Sequence, residues 1–211
     1  FPYTTLFRSV VSSEGGDTPA AAAAPGQDPG QGVAFDWGTY VAWLVERYGT
    51  LAAVAEALAA ERGHTEDQGS IERALRRLRG REGRDGGTWG VRVLRRFGMP
   101  DDVTSRVRWM GQYHTRFSDL PRALCLELLR PWDRPPVSES PARAWVQLGL
   151  AGVALRGREH ERAHECLQQA ERAADGLSRL EWLLARSFAI SRDEPEPARA
   201  LVEEAEGLLA T

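Results

Sequence analysis

One segment in the C-terminal half restricts the fold more than any other. Residues 157–170 read GREHERAHECLQQA. At roughly 100° per residue, Ala163, Cys166, Leu167, Ala170 and Ala174 fall on one face of an α-helix. The small–large–small trio Ala163, Leu167 and Ala170 returns 35 residues on as Ala198, Val202 and Ala205. Small residues let two helices of a hairpin approach closely, and the large one fills the hole between neighbouring hairpins. A chain with this recurrence is expected to be all-α, with helices stacked in pairs.

Apolar spacing predicts three such pairs: 103–117 with 119–132, 141–156 with 160–174, and 180–190 with 195–209. Gly111, Ala123 and Pro135 follow one another at twelve-residue intervals, and Ala151 precedes the 163/167/170 trio by the same step. Trp145 and Trp182 open the first helices of the last two pairs. FSDLPRA, GREHERA and DEPEPARA stand before corresponding alanines. Over about residues 103–210 the chain thus resembles the tetratricopeptide repeat. Glu127 and Arg130 depart from that pattern, where a large apolar and a small residue belong. A plain antiparallel helical bundle is the alternative. The resemblance implies a non-enzymatic adaptor or scaffold whose concave face holds a peptide or helix of another protein. Hairpin geometry puts the first helices on that face, which points to Arg143, Gln147, Arg179 and Arg186 as partner-binding residues.

The same segment also spells H-E-x-x-H through His160, Glu161 and His164. Two imidazoles one turn apart with a carboxylate beside them are what a zinc hydrolase helix requires. The flanks argue otherwise. Arg158, Glu159, Arg162 and Glu165 crowd the histidines, and Glu181, a possible third ligand, follows Gly176. The preferred reading is a solvated helix shoulder, with no metal, no cofactor and no catalytic residues; a zinc hydrolase is kept as a third reading.

The N-terminal folded part is expected over 35–99 as a helical bundle, with 100–211 as the hairpins. Trp37, Tyr40, Val41, Leu44 and Tyr48 recur at helical spacing before Gly49. Thr50 is placed to cap a second helix, Ser70 a third and Thr88 a fourth. In the third, SIERALRRLRGR, the apolar stripe Ile71, Ala74, Leu75 and Leu78 opposes Arg73, Arg76 and Arg77, and Arg81 extends the charge. Three helices with an Arg-rich last member, over about 36–81, resemble a helix-turn-helix domain. That resemblance implies a DNA-binding transcriptional regulator, in which Arg73, Arg76, Arg77 and Arg81 contact phosphate and the hairpins sense a partner. The turn is longer than usual, and Asn, Gln and Ser are missing from the recognition face, so phosphate contact is expected more than base reading. Arg92, Arg95 and Arg96 are expected to add to the basic surface.

Charge supports looking there. All 27 basic residues are Arg, and net charge is −3. Residues 70–134 nevertheless carry 15 Arg against 8 acids, a local excess of +7. Such a segment meets an anionic partner or is paired internally. Arg without Lys, together with abundant Ala and Gly, also fits a GC-rich bacterial genome. Cys125 and Cys166 form no close pair and read as core residues of a reducing, cytoplasmic compartment. No apolar run reaches the roughly 18 residues of a membrane span. No phosphate-binding glycine loop is present and no small-molecule substrate is implied. Six tryptophans are expected to pack inside helices, with Trp132 at the surface.

Residues 1–9, FPYTTLFRS, resemble a translated sequencing adapter and are set aside from the fold. Residues 10–34 are rich in Gly, Ala and Pro and are expected to be a disordered linker. The chain is accordingly expected to be a fragment of a larger protein.

Overall fold

The first helix, α1 (Trp37–Tyr48), begins where the Asp36 carboxylate accepts the Thr39 amide at 2.8 Å. In the computed structural model the described residues are 35–60, 66–116 and 119–210, and they belong to one compact unit. The adapter-like segment and the linker lie outside them. Among the described residues there are ten α-helices and no strand, so the fold is all-α.

Thr50 caps α2 (Leu51–Ala59) through the Ala53 amide, as its position implies. The next two caps differ from expectation. Asp67 caps α3 (Gln68–Arg79), accepting both the Ser70 amide at 2.9 Å and the Ser70 hydroxyl at 2.6 Å. The carboxylate is the stronger acceptor, and Ser70 becomes its donor. For α4 (Gly87–Phe97), Thr88 is already inside the helix. The Gly86 amide instead donates to Glu139 Oε1 at 2.8 Å, a carboxylate supplied from 53 residues away.

These four helices share a core of Trp37, Tyr40, Leu44, Leu58, Ile71, Leu75, Leu78 and Val93, all buried. Burial of such side chains is the main stabilising term, about 1.5–3 kcal/mol each. The two polar tips find partners: Tyr40 Oη donates to Gly98 O at 2.7 Å and Trp37 Nε1 to Arg84 O at 3.1 Å. Gly86 and Gly90 make room for the Trp37 ring, since a Cβ at either would lie 2.4 or 2.8 Å from it.

The second half contains α5 (Asp101–Arg116), α6 (Arg122–Leu129), α7 (Arg143–Arg156), α8 (His160–Glu171), α9 (Gly176–Ile190) and α10 (Pro195–Leu209). From α6 onward neighbours run antiparallel. Leu129 lies against Gly149, Trp182 Nε1 reaches Leu167 O at 2.8 Å, and Ser187 Oγ reaches Ala198 O at 2.9 Å. These packed pairs are compatible with helical repeats. The repeating small positions Ala151, Ala163, Ala170, Ala198 and Ala205 are all buried.

Two expectations fail. Ala123 is exposed on the short α6. Gly111 serves the contact between α5 and α7, not the hairpin of α5 with α6. A Cβ at Gly111 would stand 2.3 Å from Trp145 O, and one at Gly152 would stand 2.8 Å from Thr115 Cα. Contacts advance together along both chains, so α5 and α7 run parallel at backbone distance. α7 is thereby enclosed: every residue from Ala144 to Ala154 is buried. No open concave face runs across it.

Candidate interaction surfaces

On α3 the core takes Ile71, Ala74, Leu75 and Leu78, which leaves the opposite face to Arg73, Arg76 and Arg77. With Ser70 these three arginines line one open depression. Arg73 Nη2 donates to Ser70 Oγ at 2.9 Å, and Arg76 pairs with Glu72 at 2.8 Å. Arg77 makes no ion pair among the described residues. Arg76 thus faces Glu72 and Arg73 feels the nearby Asp67 carboxylate, while all three arginines stay exposed. Arg76 and Arg77 also stand in the last turn of α3, where a cation is favoured by the helix dipole. Arg81, expected beside them, is diverted. Its Nη1 donates to Asp85 O at 2.5 Å and pairs with Asp85 Oδ1 at 3.3 Å, pinning the loop before α4.

Arg92 is likewise drawn inward, and Arg96, though exposed, is held by one bond. Arg92 Nη2 donates to Leu58 O and Arg96 Nε to Ala57 O, each at 3.2 Å, covering end carbonyls of α2. Arg92 also pairs with Glu66 at 2.5 Å and lies 4.8 Å from the centre of the Trp89 ring. Arg92 with Glu66 and Arg122 with Glu159 draw on acids from outside residues 70–134, so part of the +7 excess is neutralised within the protein. Helical phase alone gave no sign of this, because the carbonyls come from another helix.

The four residues expected to meet a peptide are engaged elsewhere. Gln147 is 1% exposed and donates to Asp133 Oδ1 at 2.8 Å. It is part of the packing of α7, so it offers nothing to a partner. Arg143 Nη2 reaches Gln169 Oε1 at 2.5 Å. Arg179 bridges Glu171 at 3.6 Å and Glu204 at 3.0 Å while stacking 4.3 Å from the Trp182 ring. Arg186 donates toward His164 Nδ1 at 2.6 Å. Arg143, Arg179 and Arg186 are ties among α7, α8, α9 and α10, and Gln147 ties α7 to the segment before it.

His160, Glu161 and His164 occupy the exposed shoulder of α8. The second imidazole has Arg186 against Nδ1 and Gln168 Nε2 2.8 Å from Nε2. Among the described residues no three His, Cys, Asp or Glu side chains gather as a metal would need. Glu181 is buried.

Three features escaped the sequence reading. Trp109, expected inside, is 64% exposed and stacked on Tyr113 with ring centres 5.4 Å apart. Trp132, expected at the surface, is half-buried against the core. Leu177, Leu184 and Phe188 form an exposed row along α9, Phe188 being 71% exposed. Two buried groups are tuned by their surroundings. Burial, helped by the Arg156 charge, lowers the His114 pKa, and among the described residues its Nδ1 has no hydrogen-bond partner. Burial raises the Cys166 thiol to about 11, so it is an unreactive core residue.

No known protein family, no curated protein and no solved structure matches this chain.

Proposed function

We propose that the protein binds nucleic acid without catalysing a reaction, gripping phosphate through Arg73, Arg76 and Arg77 on α3. The observation that carries this reading is the exposed, shared depression these arginines line with Ser70. A helix displaying several guanidiniums on one face matches a row of phosphates, each taken by a charge-assisted fork. The helix-turn-helix resemblance belongs to this proposal, supported by α1, α2 and α3 packing together around one core. Phosphate contact fixes position and not sequence, so the reading implies salt-sensitive binding of low sequence preference. The test is fluorescence anisotropy of the whole chain on a generic DNA duplex over a range of salt. Reversing Arg73, Arg76 and Arg77 to Glu is expected to abolish the binding. Unchanged affinity in that variant would remove the reading.

A second reading, a protein-interaction role for the tetratricopeptide-like hairpins, is favoured by the α9 row Leu177, Leu184 and Phe188. Residues seven and four apart on one helix suit an apolar-faced helix of a partner protein. This replaces the expected concave face, which α7 does not offer. Substituting Leu184 and Phe188 by Asp should abolish partner capture while melting is unchanged. A bacterial, cytoplasmic setting is part of both readings. Among the described residues, no helix is long and apolar enough to cross a membrane.

A further inference from the structure

We infer that the groove between α4 and the start of α7 binds a zwitterionic small molecule with an apolar body, of the class of a hydrophobic dipeptide. The groove holds about 530 Å³, within the roughly 300–1,000 Å³ typical of small-molecule sites. Its apolar wall is Val91 and Leu94 of α4, Met99 just beyond it, and Pro141 and Ala142 ahead of α7. Val91 is 51% exposed there, an apolar surface that a bound apolar body would cover.

Two opposite charges line the same groove. Glu139 is half-buried, and only its Oε1 is bonded, to the Gly86 amide at 2.8 Å. Its second oxygen has no hydrogen bond among the described residues. That oxygen lies 3.1 Å from where a Cβ at Gly90 would stand and can accept a donor from a bound molecule. Its pKa is raised, burial being the main cause, with Asp85 adding to the rise and the Gly86 amide and Arg81 opposing it. Arg95, one turn after Val91 on α4, lines the groove and makes no ion pair among the described residues. An ammonium group answers Glu139, a carboxylate answers the planar fork of Arg95, and an apolar body lies along the wall between them. This inference stands apart from the nucleic-acid reading and survives its failure.

The probe is leucyl-leucine, titrated into the whole chain and followed by methyl NMR, beside its N-acetylated and C-amidated forms. Saturable shifts at the Val91, Leu94 and Met99 methyls are expected, with a Kd on the order of 1 mM or tighter. Acetylation should weaken binding about tenfold in the native chain and have no effect in Glu139→Gln, which keeps an acceptor for Gly86. Amidation should behave the same way against Arg95→Gln. Melting of both variants, run in parallel, separates lost binding from lost folding. No saturable shift at those methyls, or equal affinity of the free and both capped forms, would overturn the inference.

Discussion

The protein joins helices in two opposite ways. Between α5 and α7 the side chains are removed: Gly111, Gly149 and Gly152 let backbones meet, with a Cβ at Gly111 only 2.3 Å from Trp145 O. Between α2 and α4 the longest side chain is added, as Arg92 and Arg96 reach across to Leu58 O and Ala57 O. The first seam is dry, dense and intolerant of a single methyl group. The second is polar and uses guanidiniums as caps. The contrast shows how a chain so rich in Arg can be compact, while the Arg73, Arg76 and Arg77 face stays exposed to something outside.

The sharpest way to break the comparison is Gly111→Val. No backbone movement short of separating α5 from α7 accommodates it, so a loss of about 3 kcal/mol or more is expected by urea unfolding. On the other seam, Arg92→Met keeps the stem but uncovers Leu58 O and leaves Glu66 unpaired. A loss of about 1–2 kcal/mol is expected in the same assay. If both substitutions cost the same, the two seams are not different in kind.

Acid should tell them apart as well. His114 lies in the glycine seam, where a Cβ at Gly152 would be 2.9 Å from its carbonyl oxygen, and its folded pKa lies below the ordinary 6.5. Its contribution is present above that value and is lost as pH falls through the folded pKa, because the unfolded chain takes the proton first. Urea midpoints should therefore fall between about pH 7.5 and pH 5, and His114→Leu should flatten that part of the profile. Guanidiniums remain charged throughout, so the arginine seam contributes no such slope. The smallest effect is expected at Gly207, whose Cβ position is open. Gly207→Ala in α10 should raise stability by about 0.5 kcal/mol by helix propensity alone.

The glycine seam was half legible in the sequence. Spacing marked Gly111 as a close-approach position, but pointed it at α6. The short, mostly exposed α6 cannot receive it, and α7, buried on all sides from Ala144 to Ala154, can. The arginine seam was not legible at all, because an Arg on the polar face of α4 looks the same whether it meets water or a carbonyl of α2. Gln147 misled for the related reason that a polar residue on a first helix reads as exposed. Its partner, Asp133, becomes visible only in three dimensions. By contrast, the Arg face of α3 was read correctly as exposed, because a single helix with a narrow apolar stripe leaves no other side for it.

Anisotropy of the whole chain on a DNA duplex, with salt varied, decides whether the α3 arginines grip phosphate. Binding that weakens steeply with salt is expected, with a log–log slope near −0.9 per phosphate contacted, and loss of binding in the Arg73, Arg76 and Arg77 reversal. No binding at low salt, or a slope that the reversal leaves unchanged, would contradict the account.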